Sequence, residues 1–256
     1  MLGGRVDMDS ADGVAGLVFG DLAINDTTSV YGSFGKSSVP LPRGLDISTA
    51  YGDIGVDHWF GPIGVRAELA YWGDSDFLDS IDARGALYWR GERATLTLDL
   101  QYRDFEFDIL RSDFRAGRDI RFHSTGAGIK ASFGLTDAVT LSASGIDYDY
   151  NVNLSRGANR DIADFLSASR LSLVNSLISY RVGAGIGVDI GTRRLGIDHY
   201  VWEGEVAGSK TRSSTLSFLT PVSTRTDLQF GIGIDDADDY DAITFFSIQL
   251  FVYGGT

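Results

Sequence analysis

Residues 94–102 read Ala-Thr-Leu-Thr-Leu-Asp-Leu-Gln-Tyr, and apolar and polar side chains alternate along the whole stretch. Successive side chains of a β-strand point to opposite faces of the sheet, so Leu96, Leu98 and Leu100 share one face. Thr97 and Asp99 lie on the other face. The stretch therefore predicts a strand with one apolar side and one polar side.

Similar alternating segments recur along most of the chain, separated by turn residues. Short connections, such as 61–62 and 91–93, alternate with long ones, such as 108–119 and 153–174. Short turns at one end and long loops at the other are typical of transmembrane β-barrels, whose short turns face the periplasm. The pattern predicts twelve antiparallel strands, at 28–36, 45–60, 63–72, 81–90, 94–107, 119–134, 138–152, 176–190, 194–206, 213–220, 225–235 and 242–253.

The N-terminal region does not fit this count. The segment 14–24 is apolar enough to form a further strand. Because barrels of bacterial single-chain proteins have an even number of strands, fourteen strands is the alternative to twelve. We expect residues 1–27 to be an extension, a plug segment in the lumen, or half of a miscounted strand pair, and residues 28–256 to form the barrel.

The positions of the aromatic residues favour a membrane barrel over a soluble β-sandwich, which would show the same alternation with its apolar face inward. Aromatic side chains cluster near the predicted strand ends, as membrane-interface girdles require. Examples are Trp59-Phe60, Tyr71-Trp72 and Tyr88-Trp89. A sandwich core would place its largest rings in mid-strand.

The last predicted strand runs almost to the C-terminus and ends on the alternate aromatics Phe251 and Tyr253, before Gly254-Gly255-Thr256. In this feature and in its overall pattern the chain resembles bacterial outer-membrane β-barrel proteins of the porin type. The resemblance implies a location in the bacterial outer membrane, in contact with its lipid and lipopolysaccharide.

The apolar set shifts by one residue at three places: Gly52-Asp53, Arg103-Asp104 and Gly145-Ile146. Either a β-bulge or the upper boundary of the membrane would produce such a shift. Beyond the shifts, residues such as Asp104 and Asp147 are expected to form a polar rim above the membrane.

Composition excludes several functional classes. The chain has 256 residues and a formal charge of -13, which argues against binding to nucleic acid because the phosphates would be repelled. It contains no cysteine, which excludes disulfides, thiolate catalysis and cysteine-ligated metal centres. The sequence contains no run of 18 apolar residues, so it predicts no transmembrane helix. We expect no cofactor.

The three histidines, His58, His123 and His199, lack the spacing of a metal or catalytic site. His123 and Ser124 invite comparison with lipid-hydrolysing outer-membrane barrels, but adjacent residues of a strand point to opposite faces. We therefore expect no enzymatic activity, and a lipid-modifying barrel enzyme is only the third functional hypothesis.

A weaker metal-site hypothesis concerns the acidic segment 235–241. Asp235, Asp236, Asp238 and Asp239 offer hard oxygen ligands of the kind that calcium prefers. The segment lacks the glycine and terminal glutamate of an EF-hand loop. A solvated hairpin tip is the favoured interpretation, and no metal site is predicted.

The connection 153–174 is long and contains apolar residues at helix-like spacing, including Phe165 and Leu166. We expect these two side chains either to narrow the barrel mouth or to contact a partner protein of the cell envelope.

Alternation places charged residues of both signs inside the predicted barrel. The lumen-lining set is Arg66, Glu68, Asp82, Arg84, Asp99, Arg103, Lys130, Arg181, Asp189 and Asp227. A narrow channel for small polar or charged solutes is the first hypothesis. With Asp46, Asp57 and Arg90, which alternation also places inside, acids slightly outnumber bases, and this excess predicts a mild preference for cations. The alternative is a structural barrel that anchors or scaffolds an envelope assembly.

Overall fold

The computed structural model describes residues 1–41, 45–74, 78–109, 118–152, 177–205, 208–238 and 240–254. They form an all-β structure of fourteen strands. The strands are β1 (Leu2–Asp9), β2 (Val14–Asn25), β3 (Thr28–Leu41), β4 (Leu45–Phe60), β5 (Ile63–Asp74), β6 (Leu78–Arg90), β7 (Ala94–Ile109), β8 (Arg118–Gly134), β9 (Val139–Tyr150), β10 (Ile178–Ile190), β11 (Arg193–Gly204), β12 (Lys210–Ser223), β13 (Thr226–Ala237) and β14 (Tyr240–Val252). No helix in these ranges is long and apolar enough to cross a membrane.

Each strand pairs antiparallel with the next, and β1 pairs with β14 to close the barrel. The closing register runs from Leu2 opposite Val252 to Asp9 opposite Phe245. The predicted fold class is confirmed with the alternative count of fourteen strands, and the first choice of twelve is wrong.

The expected N-terminal extension or plug at residues 1–27 is also wrong, because this segment supplies β1 and β2. β1 is hydrogen-bonded to β14 on one side and to β2 on the other. A barrel that lacked this hairpin would leave two open sheet edges in the membrane, where backbone groups have no water to bind. The third expectation, half of a miscounted strand pair, is correct in that the segment belongs to the barrel, but the segment supplies both strands of the pair.

The two ends of the barrel differ in their connections. Both termini lie at the end that carries the short turns, at 26–27, 61–62, 91–93, 135–138, 191–192 and 224–225. Two of these turns use a glycine with positive φ, Gly61 at 68° and Gly191 at 64°. We call this the periplasmic end and the opposite one, which carries the 151–177 connection, the extracellular end.

The outer surface between these ends is apolar. Its exposed side chains include Val18, Leu69, Leu98, Ile186 and Ile232, which all point away from the lumen. Exposed aliphatic residues over a whole barrel exterior are stable only when lipid replaces water around them. The exterior is therefore that of a barrel that spans a membrane.

Toward the extracellular end, the pattern reverses. On β7 and β8, Phe105 and Phe122 point inward, are buried and stack with ring centroids 4.7 Å apart. Their neighbours Asp104, Glu106 and Arg121 point outward and are exposed. Apolar groups inside and charged groups outside are the arrangement of a water-soluble barrel, so this part of the wall stands above the lipid.

This reversal explains two of the three predicted phase shifts. The pairing of β7 is uninterrupted from Ala94 to Ile109, so Arg103-Asp104 marks a change of environment and not a bulge. Gly145-Ile146 is likewise unbroken in register, with Ile146 directed inward and Asp147 exposed outside. Pairing at Gly52-Asp53 is also continuous. The interpretation as a membrane boundary holds for the first two sites, and a bulge is wrong for all three.

Many inward-facing glycines serve one purpose: each lies directly across from an aromatic residue of the neighbouring strand. A Cβ at any of these glycines would overlap the aromatic ring, so the missing side chain lets the ring lie flat along the wall. The pairs are Gly3–Phe19, Gly35–Tyr51, Gly55–Tyr31, Gly64–Tyr88, Gly126–Tyr148, Gly183–Tyr200 and Gly233–Phe245. Flat rings leave the centre of the lumen free.

Candidate functional site

The candidate site is an internal cavity of about 600 Å³ inside the barrel. Strands from β1 to β10 contribute to its wall, which carries charges of both signs. The cations that line it are Arg5, Arg66, Arg84, Arg103, Lys130 and Arg181, and the carboxylates are Asp7, Asp53, Glu68 and Asp99.

Ion pairs connect the neighbouring strands of this wall. Arg84 on β6 contacts Glu68 on β5, with Nη1 and Oε1 2.8 Å apart, and also contacts Asp82 at 2.8 Å. Arg103 on β7 lies 3.4 Å from the same Asp82 carboxylate. Asp82 therefore holds two guanidinium groups together from behind the cavity surface.

Two further cross-strand pairs and one pair within a strand lie along the wall. Lys130 Nζ lies 2.9 Å from Asp99 Oδ2, and Arg66 Nη2 lies 2.6 Å from Asp57 Oδ2. On β1, Arg5 contacts Asp7 at 2.7 Å. Cross-strand pairs of opposite charge stabilise a sheet, and they also fix the side chains that face the lumen.

In most of these pairs the cation is more accessible than the carboxylate; in the Arg103–Asp82 pair both members are buried. Relative exposure of the carboxylate side chain is 0% for Asp82 and 13% for both Glu68 and Asp99. The corresponding value is 37% for Arg84 and 59% for Lys130. A carboxylate sits close to its backbone, whereas arginine and lysine carry their charge on long stems. The lumen-facing layer is consequently cationic, although its pairs are neutral overall.

Aromatic rings support the arginines from the side. The guanidinium of Arg66 lies 4.9 Å from the Tyr31 ring, and that of Arg103 lies 5.5 Å from the Tyr148 ring. Both rings belong to the glycine–aromatic pairs of the wall. A cation within about 6 Å of a ring face is attracted by the ring quadrupole, which limits the motion of the charged group.

The wall opposite the charged strands is smoother at mid-height. In a ring of fourteen strands, β12 to β14 lie across from β5 to β7. Most of their inward positions at this level are small residues, namely Thr215, Ser217, Gly231, Gly233 and Ser247, and the ring of Phe245 lies over Gly233. The open part of the lumen therefore lies between a charged wall and a wall of small residues.

Of the predicted lumen set, seven residues line the cavity: Arg66, Glu68, Arg84, Asp99, Arg103, Lys130 and Arg181. Asp82 lies behind them. Asp189 and Asp227 also point inward but lie toward the periplasmic end, where Asp189 faces Arg194 at 3.3 Å and Asp227 accepts a hydrogen bond from Tyr253 Oη at 2.9 Å.

Sequence reasoning missed several cavity residues. Arg5 and Asp7 belong to the segment 1–27, which was not predicted as part of the barrel, although their alternation with Val6 and Met8 is the signal that indicates a strand. Tyr148 follows the phase shift at Gly145-Ile146, so simple alternation does not give its direction. Only the register opposite Gly126 reveals it.

The histidines do not form a catalytic triad. His123 points outward and Ser124 points into the buried interior, so the two are separated by the sheet. Across strands, His199 Nδ1 lies 2.9 Å from Ser214 Oγ on the lipid-facing surface, and His58 Nδ1 lies 2.8 Å from Thr28 Oγ1. In the part of the chain that the structure describes, no carboxylate hydrogen-bonds to any of these imidazoles. The contacts satisfy polar groups that face lipid.

The acidic segment does not converge on one point. β13 continues to Ala237, so Asp235 is buried inside the barrel while Asp236 is exposed outside. Asp238 is ion-paired with Arg212 at 2.9 Å, and Asp239 lies outside the described residues. Within the described ranges, no three ligand-type side chains are grouped for a metal ion.

Phe165 and Leu166, predicted to form a constriction or a partner contact, lie outside the described residues. The role expected for these two residues stays a prediction.

Comparison with known proteins identifies the fold. No protein-family model and no curated protein matches the sequence. Among solved structures, the chain is similar to the NanC porin, with 8% identity over 99% of this chain and 100% of that one, and a TM-score of 0.52.

Two other similar structures come from named bacteria. OmpTΔL8, a loop-deletion mutant of an outer membrane protein of Vibrio cholerae, has 9% identity, 99% and 98% coverage and a TM-score of 0.53. OccAB1 of Acinetobacter baumannii has 13% identity, with 94% of this chain and 68% of that one covered, and a TM-score of 0.52. The chain thus has the fold of bacterial outer-membrane porins, and the predicted resemblance is confirmed at the level of fold.

Proposed function

We propose that this protein is a narrow channel of the bacterial outer membrane for small polar and charged solutes, and that it favours anions. The observation that carries the proposal is the cavity wall, in which exposed cations cover buried carboxylates. The apolar exterior and the porin fold support the membrane location, where lipid and lipopolysaccharide would surround the barrel.

The preference for anions follows from geometry, not from counting charges. Asp82 and Glu68 already accept hydrogen bonds from Arg84, so their oxygens are less available to a passing cation. The outer N–H groups of the arginines and the Lys130 ammonium face the cavity. An anion can replace the water on these donors, and the low-dielectric barrel wall strengthens the attraction.

This proposal reverses the expected cation preference. The sequence gives the number of acids and bases inside the barrel but not which of them reaches the lumen surface. Solutes sense the accessible charges most strongly, because water and neighbouring cations screen those behind them.

The experiment is the reversal potential of the purified protein in a planar lipid bilayer under a potassium chloride gradient. We expect the reversal potential to have the sign of an anion-selective channel. Its size should decrease when Lys130→Gln and Arg66→Gln are combined. Arg212→Gln is the matched control, because this arginine lies on the outer surface and should leave the potential unchanged. Cation selectivity of the unmodified channel would overturn the preference, and a complete lack of conductance would favour the scaffold hypothesis.

A further inference from the structure

One cation of the cavity differs from the other five. Arg5, Arg66, Arg84, Arg103 and Lys130 each contact a carboxylate. Arg181, on β10, is exposed inside the barrel and has no carboxylate partner among the residues that the structure describes. Its charge is therefore not compensated by a neighbouring side chain.

The position of Arg181 depends on the ring of Tyr200. The guanidinium carbon lies 5.9 Å from the ring centroid, which is within the range of a cation–π contact. Tyr200, on β11, is directly opposite Gly183, and a Cβ at Gly183 would overlap its ring. The glycine thus creates the space in which the ring lies flat and supports the arginine two residues away.

Other arginines lie in the same cavity as Arg181. Arg84 and Arg103 line the same cavity as Arg181, and the guanidinium carbon of Arg103 lies 5.5 Å from the ring of Tyr148 on the adjacent strand β9. Arg84 and Arg103 are balanced by Asp82, which is fully buried behind them, and Arg84 also by Glu68. Tyr148 Oη donates its proton to Gln101 Oε1 at 2.8 Å and so does not compete for the arginine donors.

We propose that Arg181 is the specificity-determining residue of the channel and that it recognises a planar oxyanion, with a carboxylate as the chemical class. A free guanidinium offers two parallel N–H donors that match the two oxygens of a carboxylate, whereas a spherical anion meets it only as a charge. Tyr200 and Gly183 are positioning residues that hold this donor pair toward the cavity. The inference rests on the proposed channel function.

The test measures the permeability ratio of acetate to chloride in a planar bilayer, with potassium acetate on one side and potassium chloride on the other. We expect Arg181→Gln to lower this ratio by at least about threefold, because the bidentate contact is lost. Arg181→Lys keeps the positive charge but loses the two parallel N–H donors of the guanidinium. It should therefore lower the permeability ratio of acetate to chloride, while the permeability ratio of anions to potassium changes little.

The positioning role is tested at Tyr200. Tyr200→Leu should lower the acetate ratio as Arg181→Gln does, whereas Tyr200→Phe keeps the ring and should retain the original ratio. Gly183→Ala should act in the same direction as Tyr200→Leu. Folding of every variant is checked by its heat-dependent mobility in gel electrophoresis. If another variant does not fold, the permeability ratio of Arg181→Lys decides the outcome.

The matched control is Arg90→Gln. Arg90 also lies over an aromatic ring, 4.4 Å from that of Trp59, and has no carboxylate partner in the described ranges, but it is not part of the cavity. A conducting channel in which Arg181→Gln and Arg90→Gln have equal effects would overturn the role of Arg181 and leave the channel function standing. A protein without conductance would overturn the proposed function itself.

Discussion

Glu68 and Arg84 face each other across strands β5 and β6, with Oε1 and Nη1 2.8 Å apart, and the arginine covers the carboxylate from the lumen side. The same order of cation over carboxylate recurs at Lys130 and Asp99. A wall that is neutral by composition can therefore present one sign of charge to a solute. The consequences can be measured on stability as well as on permeation.

The assignment of the lipid-facing surface predicts the cost of buried charge. Ile232 is exposed on the outside of β13, so Ile232→Arg should destabilise the folded barrel by roughly 2 to 4 kcal/mol in lipid vesicles. Gln229→Arg, on the inward face of the same strand, is the control and should cost far less. Urea unfolding from vesicles measures both, and equal costs would contradict the assignment. Gly233 is unsuitable as a control because Phe245 packs over it.

The glycine–aromatic pairs predict that glycines are not interchangeable in this barrel. Gly126→Val should destabilise the protein by about 1 to 3 kcal/mol, because the new side chain overlaps the Tyr148 ring and forces it from the wall. At Gly16, which faces outward, no atom lies within 4 Å of an added Cβ. Gly16→Val should therefore be neutral or stabilising. The prediction fails if both variants unfold at the same urea concentration.

Asp82 is predicted to be the most important carboxylate for the integrity of the wall. Asp82→Asn leaves Arg103 almost fully buried with less compensation, which should cost roughly 3 kcal/mol of folding free energy. It should also increase anion selectivity, since a negative charge is removed beside the cavity. Asp189→Asn is the control: its pair with Arg194 is partly exposed and should contribute less than about 1 kcal/mol.

The outward His199–Ser214 contact predicts no lipid hydrolysis. Ester cleavage by serine needs an oriented base and donors for the oxyanion in addition to the nucleophile. We expect no release of fatty acid from phospholipid in mixed micelles and no labelling of Ser214 by a fluorophosphonate. Labelling that disappears in Ser214→Ala but persists in Thr28→Ala would revive the hypothesis of a lipid-modifying enzyme.

Most of the strand pattern could be predicted from the sequence because lipid and lumen impose opposite demands on alternate residues. β4 was predicted with its observed bounds, and β7 to within two residues at one end. The N-terminal hairpin was lost because β1 is short and its inward face carries Gly3, Arg5 and Asp7. Composition could not show how far each charge reaches, so the order of cation and carboxylate at Arg84 and Glu68 required the structure.

Contacts between residues on neighbouring strands were the second feature that was difficult to predict from the sequence. Gly183 and Tyr200 lie on strands joined by the turn 191–192, and they face each other only because that turn fixes the register of β10 and β11. His199 and Ser214 likewise meet only through the register of β11 and β12, whereas the adjacent His123 and Ser124 lie on opposite faces of β8. Register depends on the turn and on the partner strand, so the alternation within one strand cannot give it.

The reversal of polarity between Arg103 and Phe105 also determines how deep the barrel sits in the bilayer. A single strand, β7, meets hydrocarbon on its outer side at Leu98 and Leu100 and water on the same side at Asp104 and Glu106. Vertical displacement in one direction would draw these carboxylates into hydrocarbon, and displacement in the other would strip lipid from the leucines. The boundary between lipid and water on the outer surface therefore crosses β7 between Tyr102 and Asp104.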